Sequence, residues 1–67
     1  MSKREAQRIV RRAMKVTDMS PEAFARMFKG ILWSASPRTV RRWHDGESMP
    51  HGAVLSSLRQ LITEYEQ

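Results

Sequence analysis

Apolar residues recur at helical spacing in four stretches of the chain, with recognisable punctuation between them. In the first stretch Ala6, Ile9, Val10, Ala13 and Met14 form one stripe and charged or polar residues fill most of the remaining positions. That spacing predicts an amphipathic helix from about Lys3 to Val16. Val16-Thr17-Asp18-Met19 makes the first connection. Ser20 then reads as an N-cap and Pro21 as the first helical residue. Met19 before the cap and Phe24 at the fourth helical position have the spacing of a hydrophobic staple. The stripe continues through Met27, Phe28, Ile31 and Leu32. It predicts a second helix able to run past Gly30, although glycine costs about 1 kcal/mol against alanine inside a helix.

Trp33-Ser34-Ala35 is the next break. Ser36-Pro37 repeats the start signal of the second helix and predicts a short third helix, Pro37 to about His44, with Gly46 as its stop. Gly46-Glu47-Ser48-Met49-Pro50 is a loop with two breakers. A fourth helix is expected from near Pro50 or His51 towards Glu64, with a stripe of Val54, Leu55, Leu58, Leu61, Ile62 and Tyr65. No stretch alternates with a two-residue period, so no sheet is expected. The pattern therefore predicts an all-α domain over residues 1–67, with four helices.

Length and composition sharpen this picture. At 67 residues the chain is near the lower limit for a self-sufficient core. It has no cysteine, so neither a disulfide nor a thiolate zinc site can staple it. So small a core often gains stability by self-association, and a homodimer is expected. The methionines Met14, Met19, Met27 and Met49 read as packing residues. Trp33 either closes the long connection as a core residue or contacts a partner, and the core is the preferred place.

Charge is distributed unevenly. Twelve Lys and Arg face seven Asp and Glu, a net charge of +5. Residues 1–42 hold eleven basic and three acidic residues, whereas residues 43–67 hold one basic and four acidic. A basic body with an acidic tail suggests a polyanionic partner. The polar start Met1-Ser2-Lys3-Arg4-Glu5 leads into no signal-peptide core, and no apolar run approaches the ~18 residues of a membrane span. A cytoplasmic, nucleoid-associated protein without membrane contact is expected.

Candidate chemistry narrows further. His44, Asp45, Glu47 and His51 fit no standard zinc spacing. The glycines at 30, 46 and 52 form no phosphate loop, and no nucleophile setting is recognisable. No metal, cofactor, small-molecule ligand or catalytic activity is expected.

The third helix stands out. In Pro37-Arg38-Thr39-Val40-Arg41-Arg42-Trp43-His44, Val40 and Trp43 are three apart and share a face. They can anchor the helix on a core while Arg38, Thr39, Arg41 and Arg42 point elsewhere. The major groove admits one α-helix, and arginine can form bidentate bonds to guanine O6 and N7. No acid interrupts the run between Lys29 and Asp45. The helix start supplies backbone N–H groups that favour a phosphate. The competing reading is a solvated arginine face, and the DNA reading requires guanidinium groups that are not locked in internal ion pairs. The first helix presents a similar choice: Arg4, Arg8, Arg11 and Lys15 share a face that either tracks phosphates or is simply solvated.

Ala25, then Ser36-Pro37-Arg38-Thr39-Val40-Arg41-Arg42-Trp43, then Gly46, Pro50 and the leucine-bearing last helix resemble Cro/CI-type (Xre-like) helix-turn-helix regulators. The resemblance covers roughly Ser20 to Ile62, and its best part is Thr39-Val40-x-x-Trp43-x-x-Gly46-x-x-x-Pro50. It implies four or five helices and commonly a dimer on a palindromic double-stranded DNA operator. It implies base contacts from Arg38, Thr39, Arg41 and Arg42, and structural anchors at Ala25, Val40, Trp43 and Gly46. Phosphate contacts are expected at Ser20, Ser36, His44, Ser48, Arg11 and Lys15; Asp45 falls at a phosphate position too, but its charge makes it a poor partner. Fifteen positions separate Ala25 from Val40, more than the family pattern has. Either the second helix has an extra turn or the connection between the second and third helices is enlarged, and both alter the angle between the two helices more than they alter the fold.

The resemblance implies a compact phage- or plasmid-type autorepressor, or an anti-CRISPR-associated regulator, with no separate sensing domain. The acidic end, Glu64 and Glu66, is expected to point away from DNA. Two rivals accompany this reading: an architectural or excisionase-like accessory DNA binder, and a helical inhibitor or adaptor that sets its arginines on an acidic protein.

Overall fold

The computed structural model describes residues 2–28 and 36–66. These residues form α1 (Lys3–Thr17), α2 (Pro21–Phe28), α3 (Pro37–Asp45) and α4 (Gly52–Tyr65), and no strand is found among them. The expected all-α, four-helix architecture is therefore present. The run past Gly30, the enlarged connection and Trp33 lie outside the described residues.

Three of the four helices begin where a serine hydroxyl pairs one of the orphan backbone donors. The Ser2 hydroxyl accepts from the Glu5 N–H at 3.2 Å and opens α1. The Ser20 hydroxyl accepts from the Ala23 N–H at 3.2 Å and opens α2. The Ser36 hydroxyl accepts from the Thr39 N–H at 3.3 Å and opens α3, with Pro37 in the first turn. His51 opens α4 without a side-chain cap bond. The Ser-Pro signals thus mark two starts, and Ser2 adds one that the apolar stripe did not reveal.

Two helices end on left-handed residues. At the end of α3, Gly46 has φ +79°; its N–H reaches the Trp43 carbonyl and the Glu47 N–H reaches the Arg42 carbonyl. At the end of α1, Asp18 adopts φ +55°, with the Asp18 and Met19 N–H groups on the Lys15 and Met14 carbonyls. Both patterns satisfy carbonyls that the helix leaves open. Glycine takes this conformation freely, whereas aspartate takes it against steric resistance from its Cβ.

α1 packs against both α3 and α4, and α2 packs against α3. One apolar core joins all four: Ala6, Val10, Ala13 and Met14 from α1, Phe24 and Ala25 from α2, Val40 and Trp43 from α3, and Leu55, Leu58 and Leu61 from α4. Ile9, Met19, Val54 and Ile62 pack at its edge. Met19 and Phe24 are thus both core-facing, as staple spacing requires. Three expectations need correction. Met27 and Met49 are 49% and 40% exposed rather than packed, and Tyr65, the last member of the α4 stripe, is 49% exposed. Tyr65 is the last residue of its helix. A stripe read from spacing continues as long as the residues are apolar, but burial ends where the facing helix ends.

The strained end of α1 generates a prediction. Asp18→Gly relieves the left-handed penalty and raises stability by about 0.5–1 kcal/mol. Urea denaturation of the two proteins checks it; an unchanged or lower midpoint would mean that the aspartate side chain stabilises the turn by as much as its Cβ costs.

Candidate nucleic-acid interface

α3 has two opposed faces because its sequence does. At about 100° per residue, Arg38, Arg41 and Arg42 each lie within about 50° of the direction opposite the midline of Val40 and Trp43. Val40 and Trp43 are buried, at 0% and 8% exposure, and the three arginines are exposed. Ala25 of the adjoining α2 is also buried. The anchors expected at Ala25, Val40 and Trp43 are therefore core residues, and Gly46 is the αL stop.

Hydrogen bonds from α1 fix the far end of α3. Gln7 Nε2 and Arg11 Nε both donate to the His44 carbonyl oxygen, at 3.1 and 2.9 Å. An open carbonyl in the last turn of a helix carries part of the negative end of the helix dipole, so a cationic donor there is favourable. The same arrangement constrains Gly46 a second time. A Cβ on Gly46 would stand 2.9 Å from Gln7 Cδ and Oε1. The Gln7 amide would have to shift, and shifting strains its bond to His44.

The arginines are not equivalent. Arg41 Nη2 pairs with Glu22 Oε1 in the first turn of α2, and both side chains remain substantially solvent-exposed, at 58% and 39%. The hydrogen bond from Arg41 holds the Glu22 carboxyl below its ordinary range. Glu22 in turn raises the Arg41 guanidinium. The side chains of Arg38 and Arg42 make no hydrogen bond or ion pair with the other described residues. The pair is a surface contact rather than an internal one. Of the three guanidinium groups, one is held at one edge and two extend unrestrained. Asp45 also lies on the arginine-bearing face, in the last turn, and its carboxylate bonds the His44 ring at 3.1 Å. That end of the face is the least suited to a phosphate.

The expected phosphate-contacting residues divide into groups. Arg11, Lys15, Ser20 and His44 line one open cleft, where the end of α1, the start of α2 and the end of α3 meet. Asp18 lines the same cleft and opposes their charge. Ser36 lies at the other end of α3, about 12 Å away along a nine-residue helix. Its hydroxyl caps the helix and lies 3.2 Å from the Thr39 hydroxyl, so Thr39 is half-buried and turned towards the cap. Ser48 is half-buried in the loop beyond Gly46. Arg12 departs from the α1 stripe: it pairs with Glu66 near the end of α4, and that pairing raises its affinity for its proton. The acidic tail is thus tied to α1 through Glu66.

Three residues that shape this surface were not legible as site residues: Gln7, Asp18 and Glu22. Gln7 and Glu22 act through a residue that packing brings near, Asp18 acts through the cleft it lines, and none has a spacing signal in the sequence. Among the described residues no group of three or more His, Asp or Glu could hold a metal ion. No described helix is long and apolar enough to cross a membrane. Comparison with family models, curated proteins and solved structures finds no match to this chain.

Two predictions follow from the geometry at α3. Gly46→Ala is expected to destabilise the fold by about 1–2 kcal/mol through its left-handed φ. Combining it with Gln7→Ala should remove any added penalty from the Cβ clash. Denaturation of the four proteins in that cycle measures the coupling, and strict additivity would contradict the clash. Carboxyl NMR titration should place Glu22 below the usual glutamate midpoint, and Arg41→Ala should move it back up. Because the folded-state value is lowered, the pair stabilises at neutral pH and its contribution is lost as pH falls through the Glu22 midpoint. A Glu22 midpoint indifferent to Arg41→Ala would mean that the two side chains do not pair in solution.

Proposed function

We propose that this chain is a sequence-specific double-stranded-DNA-binding protein of the Cro/CI helix-turn-helix type that lays α3 in the major groove. The observation that carries the reading is the division of α3 into a buried Val40–Trp43 face and an exposed face bearing Arg38, Arg41 and Arg42. A short helix whose start is capped and whose end is gripped by α1 is held rigid, and rigidity makes base contacts selective. Arg38, Arg41 and Arg42 supply the base-reading forks, and Thr39 flanks them. Arg11, Lys15 and the start of α2 at Ser20 supply phosphate contacts beside them. These contacts set orientation on the duplex without reading sequence.

The proposed biological role is a transcriptional repressor that acts as a homodimer on a palindromic operator. Its support is the resemblance in Thr39-Val40-x-x-Trp43-x-x-Gly46-x-x-x-Pro50 together with the small size of the core.

Selection of bound duplexes from a random pool at physiological salt tests the reading. A palindromic consensus containing guanine is expected. Arg38→Ala and Arg42→Ala should each relax one position, at about 1–3 kcal/mol per lost bidentate contact. Lys15→Ala should weaken all duplexes alike and lower the log–log salt slope by about 0.9, whereas Arg11→Ala also removes a bond that holds the end of α3 and should cost selectivity as well. Recovery of no preferred sequence, or arginine variants with unchanged selectivity, would refute the assignment.

A further inference from the structure

We infer that Glu22 is a positioning residue for base reading: it grips one edge of the Arg41 guanidinium from α2 and so confines Arg41 to one guanine position in bound DNA. The inference rests on the DNA-binding reading above and adds a residue that no recognition-helix position includes.

Arginine is long and flexible, and an unrestrained one can reach several neighbouring bases or phosphates. Its guanidinium carries five N–H donors arranged around a rigid plane. A carboxylate on one edge leaves another edge available for guanine O6 and N7. Arg41 has this arrangement: Nη2 donates to Glu22 Oε1, and no described residue takes a hydrogen bond from Nε or Nη1. The Arg41 side chain is 58% exposed.

The grip also comes from a well-placed support. Glu22 is in the first turn of α2, where the helix dipole favours a carboxylate. Arg26, one turn further along α2, attracts the same carboxylate through space. α2 packs directly on α3, and its Ala25 is buried in the core. Glu22 therefore stands on the helix that braces α3, and a restraint applied there is referred to the whole domain. Arg38 and Arg42 have no such restraint among the described residues.

The acidic charge has a second effect, opposite in sign. A carboxylate beside the reading surface repels phosphate and weakens binding to every duplex. Removing it should strengthen indiscriminate binding while loosening selectivity at one position. A purely electrostatic Glu22 would do the first without the second.

The test compares the full chain with Glu22→Gln, Arg41→Ala and Arg41→Lys. Each is selected on a random duplex pool, then titrated against the chosen site, single-base variants of it and an unrelated duplex at physiological salt. Arg41→Ala is expected to lose guanine preference at one position. Glu22→Gln should lower preference at that same position by about tenfold, within the range of one bidentate pair, while binding the unrelated duplex as tightly as the parent or more tightly. Arg41→Lys keeps the charge but not the fork, and should lose the same preference. Thermal melts establish that each variant is folded; should Glu22→Gln fail to fold, Glu22→Ala carries the comparison. Full discrimination by Glu22→Gln, a loss spread evenly over the site, or guanine preference retained by Arg41→Lys would overturn the role of Glu22 while leaving DNA reading intact. No preferred sequence for the parent chain would instead overturn the DNA reading itself.

Discussion

A nine-residue helix does not hold its shape alone in water, because isolated helices that short are marginal even with good formers. α3 persists because Val40 and Trp43 are buried among residues of the other helices, and because Ser36 and Gly46 satisfy its two ends. α1 adds a further restraint at the His44 carbonyl through Gln7 and Arg11. That docking determines which way every other side chain of α3 faces. With Val40 and Trp43 inward, Arg38, Arg41 and Arg42 have no direction left but outward. The charged surface is thus a consequence of the apolar anchor and not a separate feature of the fold.

The same docking explains the asymmetry along the exposed face. At the start of α3 the Ser36 cap and the neighbouring Thr39 hydroxyl leave room for the arginines. At its end, the His44 carbonyl is occupied from α1 and the His44 ring is bonded to Asp45. The favourable charge runs from Arg38 to Arg42, and the least favourable is Asp45 at the last residue of the helix. Glu22, reaching Arg41 from α2, trims this surface further. Exposed ion pairs contribute little to stability, so the interest of this one is geometric: it limits where Arg41 can go.

Much of the fold was legible in the sequence because it depends on local signals. Ser20-Pro21 and Ser36-Pro37 mark helix starts through capping chemistry that needs no tertiary contact. Gly46 marks a stop because only a residue free of Cβ strain takes that turn without penalty. The leucines of α4 and the stripe of α1 identify buried faces by period alone. What stayed hidden depends on packing. Glu22 lies nineteen positions from Arg41 and Gln7 thirty-seven from His44, and nothing local links either pair. Asp18 at a left-handed turn carries no glycine to announce it. Met27, Met49 and Tyr65 are apolar at core-like spacing yet exposed, because the reach of a facing helix cannot be read from the helix it covers.

The central claim is that α3 meets the duplex with its arginine face. Heteronuclear NMR of the backbone amides and arginine Nε groups, during titration with a duplex at physiological salt, tests it most directly. The account predicts that the strongest perturbations fall on residues 36–44 and on the side chains of Arg38, Arg41 and Arg42, with weaker ones at Arg11 and Lys15. Perturbations confined to α4, or no response from the arginine side chains as the duplex is added, would contradict it.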